Sequence, residues 1–79
     1  MNTQHSINLT FLHLKGFDTN TLTGLKKALH WLKTSEPDCL MHGEGTGDPF
    51  DIMVGEMRRP MLIASVEEAI TTISSADKN

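Results

Sequence analysis

A chain of 79 residues with a single cysteine has to be held together by one apolar core, because it lacks the length for a second core and the thiols for a disulfide framework. Small domains bury proportionally less surface than large ones, so nearly every regular element must contribute to that core. The 38% hydrophobic content is enough only on that condition, while 22% charged residues, six glycines and three prolines are ordinary for a globular chain. One domain over residues 1–79 is expected, with an ordered core of about 6–74 and a fraying tail at 75–79. Cys39 standing alone suits a reducing compartment, hence the cytoplasm. The polar start from Met1 to Ser6 leads into an alternating stretch rather than a continuous apolar one, so neither a signal peptide nor a membrane span is expected.

The pattern along the chain reads as a mixture of strands and helices. Ile7, Leu9 and Phe11 alternate with Asn8 and Thr10, which predicts a first strand over 7–14. After Gly16, the residues Asp18 to Thr21 offer several caps, and Leu22, Leu25, Leu29 and Leu32 recur at helical spacing up to about Thr34. Pro37 ends that helix no later than Ser35. Cys39 to His42 reads as a short second strand. A glycine-rich loop follows, and then Phe50, Ile52 and Val54 alternate as a third strand. Arg58, Arg59 and Pro60 read as a hairpin turn into a fourth strand, Met61 to Ala64. Ser65 with Glu68 forms a capping box for a last helix through Val66, Ala69, Ile70 and Ile73.

The resulting order, β-α-β-β-β-α, predicts an α+β domain: a four-stranded, largely antiparallel sheet with two helices packed on one face. This element order resembles that of ribosome-hibernation factors and, less its first strand, that of double-stranded RNA-binding domains. The resemblance is one of topology, with no shared sequence motif.

Ligand-type residues cluster weakly. His30, Cys39, His42 and Glu44 are all types that zinc accepts, but structural zinc sites draw on two close pairs, and only Cys39 with His42 makes one. No metal or other cofactor is therefore expected, and Cys39 reads as a small packed residue. The loop Gly43 to Asp48 has the glycines of a phosphate cradle but leads into Pro49 and a strand instead of a free helix N-terminus, and Glu44 and Asp48 would repel an anion. Calcium held by Glu44, Asp48 and Asp51 fits no standard loop spacing. No nucleophile and base are paired by the sequence, and the reading is non-enzymatic.

Interaction surfaces are better signalled. Trp31 lies off the leucine face of its helix, near Lys27 and Thr34. Met41, Met53, Met57 and Met61 fall close together, and Met53 and Met57 have opposite parity to Phe50, Ile52 and Val54, which predicts an outward Met-rich sheet face joined by Leu12 and Leu14. Such a face predicts a homodimer or another protein partner. Charge is lopsided: residues 1–34 carry +3, residues 35–79 carry −6, and between Glu36 and Glu56 there are six acids and no base. An acidic surface of Glu44, Asp48 and Asp51 fits a partner with a basic surface. Net −3 opposes general nucleic-acid binding, which is the alternative reading through Lys26, Lys27, Lys33, Arg58 and Arg59. The leading expectation is a small interaction or inhibitor protein, of the kind found among mobile elements, immunity proteins and nucleic-acid mimics, and a small metal- or thiol-dependent enzyme ranks third.

Overall fold

The computed structural model describes residues 3–42 and 45–77, and every regular element among them is a helix. α1 spans Thr3–Lys15, α2 Leu22–Thr34, α3 Cys39–His42 and α4 Pro49–Asp77. With 29 residues at 1.5 Å each, α4 is about 43 Å long, nearly the full 46 Å length of the molecule. The other three helices all pack on it, α2 most extensively.

The four-stranded α+β expectation is thereby corrected, since no strand occurs among the described residues, and the topological resemblances drawn from it fall as well. The physical reason lies in the ambiguity of short apolar runs, which fit a half-buried strand or a helix turn equally well until packing decides. In α1 the fully buried residue is Leu12, expected to face outward, while Ile7, expected inward, is 53% exposed. Asn8 is buried one turn before Leu12. Its Nδ2 donates to Ser65 Oγ at 2.8 Å, and its Oδ1 accepts from Gln4 Nε2 at 3.0 Å. A satisfied polar pair inside an apolar contact favours one register of α1 on α4, because sliding either helix would leave buried polar atoms without partners.

The hairpin at Arg58, Arg59 and Pro60 is likewise replaced by continuous helix, and Ser65, expected to cap a new helix, lies buried in the interior of α4. Proline inside a helix removes one backbone bond and costs on the order of 3 kcal/mol. Pro60 sits on the exposed side, and just beyond it Leu62 and Val66 are completely buried. Each of those side chains contributes about 1.5–3 kcal/mol, so continuing the helix outweighs breaking it. The expected strand at Cys39 to His42 is one helical turn, begun by Cys39 N donating to Glu36 O (3.1 Å) and Leu40 N to Pro37 O (3.0 Å).

α2 follows its leucine spacing. Thr21 Oγ1 accepts from Gly24 N at 3.1 Å as the N-cap, and Ser35, in extended conformation, closes the far end by donating its N–H to Trp31 O at 2.8 Å. Leu25, Ala28 and Leu32 are fully buried with Leu62 and Val66 of α4, and Leu12 and Leu40 complete the core. Two glycines let backbones approach where no side chain fits. A Cβ on Gly24 would lie 1.9 Å from Asp18 O, and one on Gly55 would lie 1.7 Å from Pro37 O.

Gly55→Ala therefore has to push the Glu36–Pro37 segment off α4, and equilibrium denaturation should show a loss of about 2 kcal/mol or more. Gly45→Ala, whose Cβ would meet nothing closer than 3.6 Å, should stay within about 0.5 kcal/mol. Equal effects would contradict the close packing of Pro37 on Gly55.

Candidate functional site

Because α4 has a 3.6-residue period, Phe50, Met53, Met57 and Met61 fall within about 80° of arc, as an i, i+3, i+7, i+11 series. They are 59%, 54%, 66% and 49% exposed, whereas Asp51, Gly55, Leu62 and Val66, roughly opposite on the helix, are buried. Over its N-terminal half α4 is thus apolar on the side in solvent, while its packed side includes Asp51 and Gly55 and becomes apolar from Leu62 and Val66 onward. Further along the outward face come Ala64, Glu67 and Glu68, all exposed, so the stripe ends in acids. Met53 and Met57 were expected on an outward surface from strand parity, and they are exposed from a helix instead. Phe50, expected to be inward, and Met61 join them, and the helical spacing of the four residues is the signal that would have found this. Met41, the fourth methionine of the expected cluster, has its side chain outside the described residues.

The other sequence candidates disperse. Trp31 is half-buried and forms an aromatic cluster at the α1–α2 contact, 5.7 Å from the Phe17 ring and 6.4 Å from the Phe11 ring, with Lys15 Nζ 5.6 Å over its own ring. Lys26, Lys27, Lys33 and His30 are exposed on α2, a helix that holds no acid. Arg58 and Arg59 do not extend that basic face. The Arg58 guanidinium lies 4.9 Å over Phe11, and Arg59 donates to Leu32 O and, at 2.8 Å, to Ser35 O, closing the C-terminal end of α2. Of the expected acidic surface, Asp48 is exposed and accepts from Phe50 N at 2.8 Å, but Asp51 is buried and accepts from Thr46 Oγ1 at 2.7 Å. Glu44 lies outside the described residues, as does the side chain of His42. Cys39 is a free thiol of intermediate exposure, and among the described residues no three His, Cys, Asp or Glu side chains are grouped to hold a metal. A shallow cavity of about 290 Å³ beside Phe17, Thr21 and Gly24 has Asp18 and Lys27 as its only ionisable groups.

Asp38 organises the approach to α4. Its Oδ2 accepts from Gly47 N at 2.7 Å and from Thr46 N at 2.9 Å, tying the 45–48 loop to the start of α3. The Gly47 bond above all, with those from Thr46, Cys39 and its own N–H, holds its carboxyl below the ordinary aspartate value against the opposing effect of burial. A lowered folded-state pKa means that stability is fully present above the unfolded value near 3.8 and is lost as pH falls through the folded one. In Asp38→Asn that part of the acid dependence should vanish, so that its denaturation midpoint falls less than the parent's between pH 5 and pH 2. An unchanged acid profile would contradict the loop tether.

Arg59→Met should destabilise by about 1–3 kcal/mol, since bonds from a charged donor to two helix-end carbonyls are lost, while Lys26→Met should stay within about 0.5 kcal/mol. Thermal denaturation of the two variants checks the difference, and equal midpoints would contradict the role given to Arg59. Comparison with protein-family models, curated proteins and solved structures finds no match to this chain.

Proposed function

We propose that this is a small non-enzymatic interaction protein, a regulator or inhibitor that docks another protein on the outward face of α4. The observation that carries the reading is the line of Phe50, Met53, Met57 and Met61, each about half or more exposed. Together they offer roughly 400 Å² of largely apolar surface, the size at which the largest patch on a small protein is often functional. Methionine suits such a surface because its unbranched, polarizable side chain adapts to the shape of a partner. Among the described residues no helix is long and apolar enough to cross a membrane; the proposal of a cytoplasmic location rests instead on the lone Cys39, which fits a reducing compartment. A second reading, binding to a nucleic-acid backbone, draws on the exposed Lys26, Lys27 and Lys33 of the acid-free α2.

The double variant Met53→Asp/Met57→Asp separates the two. Both positions are in solvent in the isolated chain, so its stability should stay within about 1 kcal/mol of the parent. A photo-crosslinking residue at position 57 should capture a protein partner, and capture through the same residue at position 61 should be lost in the double variant. Crosslinking to nucleic acid from position 26, with no protein adduct from position 57, would overturn the reading in favour of α2. A large loss of stability in the double variant would mean that the stripe is part of the core.

A further inference from the structure

We infer that the occupant of the α4 stripe is a cationic amphipathic helix of a partner protein. The inference rests on the reading of the stripe as an interface and adds the chemistry of what covers it. Between Pro49 and Val66 the outward half of α4 displays one acid and no exposed base. Glu56 flanks the stripe with its side chain 58% exposed and paired at 3.3 Å with Arg59, so the charge offered to a partner comes chiefly from the carboxylates beyond the two ends. Arg58 and Arg59 are partly buried, turned onto Phe11 and onto the α2 carbonyls. At the N-terminal end stands exposed Asp48, and at the other end exposed Glu67 and Glu68. On the helical period Glu67 lies over Glu56 and Glu68 lies in line with Phe50. The result is an apolar strip about 16 Å long, from residue 50 to residue 61, with carboxylates beyond both ends and along one edge.

The spacing names the shape of the partner and the rim names its charge. Anchors at i, i+3, i+7 and i+11 on a helix match the apolar face of another helix, and α4 has no free backbone edge to which a strand could add. Lysines or arginines at both ends of that helix would meet the carboxylates at the rim, where complementary charge speeds and orients docking. A second copy of this chain fits less well. Antiparallel pairing centred on Met57 sets Asp48 beside the Val66–Glu67 turn of the other copy, and parallel pairing stacks Glu67 and Glu68 on themselves; both bring like charges together. The same acids repel nucleic-acid phosphates and anionic lipid.

Three synthetic peptides of about 16 residues test this by calorimetric titration into the full chain: a Leu/Lys amphipathic helix with lysines at both ends, its Leu/Glu counterpart, and a scrambled Leu/Lys peptide with no apolar stripe. The cationic amphipathic peptide should bind about ten-fold or more tightly than the other two. Its binding should weaken several-fold in Glu67→Gln/Glu68→Gln and with added salt, and be lost in Met53→Asp/Met57→Asp. If the acidic or the scrambled peptide binds as tightly as the cationic one, the inference about charge or about helical shape fails while the stripe can stand as an interface. If sedimentation shows a dimer that Met53→Asp/Met57→Asp dissociates, the stripe belongs to a second copy and the inference is overturned. If neither amphipathic peptide binds and the chain is monomeric, the inference and the interface reading fail together.

Discussion

The fold depends on α4 remaining one helix through Pro60. Only a continuous α4 carries Gly55, against the Pro37 turn, and Leu62 and Val66, in the common core, on the same side of the same rod. Breaking it after Arg59 would separate those contacts and detach Arg59 from the end of α2. The missing backbone bond at Pro60 costs less than these contacts contribute, because the lost donor is on the exposed side and the side chains that follow are completely buried. α1 and α2 are each 13 residues long, marginal as isolated helices, and they draw their stability from lying against this longer one.

A spine with helices on one side leaves its other side to solvent, and there the chain departs from the rule of apolar inside and polar outside. Glu56, Glu67 and Glu68 follow the rule; Phe50, Met53, Met57 and Met61 break it in a single line. Scattered exposed apolar residues need no explanation, but four in helical register do. The distribution of charge reinforces the asymmetry: the exposed lysines are Lys26, Lys27 and Lys33 on α2 and Lys15 at the end of α1, whereas the exposed Glu56, Glu67 and Glu68 are on α4, away from its buried side. Two surfaces of opposite sign and different polarity fit oriented docking better than uniform association.

What could be read from the sequence was decided by how each segment uses its period. α2 was legible because Leu22, Leu25, Leu29 and Leu32 recur over three turns with Thr21 ahead of them and Pro37 behind, and only a helix satisfies that. α1 was not, because Ile7, Leu9 and Phe11 alternate over too few residues to exclude a strand, and the buried side of the helix includes the polar Asn8, which only the distant Ser65 explains. α4 was misread for a different reason. Apolar residues on two opposite faces cancel the helical period and leave short alternating runs, and the arginines and proline between them imitate a turn. The exposure of Met53 and Met57 was legible all the same, since both readings direct them away from the core. Arg59 and Asp51 were placed on candidate surfaces because their type suggests solvent, while their actual partners, the carbonyls of α2 and the hydroxyl of Thr46, lie outside their own sequence neighbourhood or within a loop whose path the sequence does not disclose.

The continuity of α4 is tested most directly by backbone chemical shifts in solution. The account predicts uninterrupted helical Cα and carbonyl shifts from Phe50 to Ile73, including Arg58 and Arg59, with the slowest amide exchange in the segment around Leu62 and Val66. Extended shifts at 50–54 and 61–64 separated by a turn at Arg58 to Pro60 would contradict it and restore a hairpin in place of the helix.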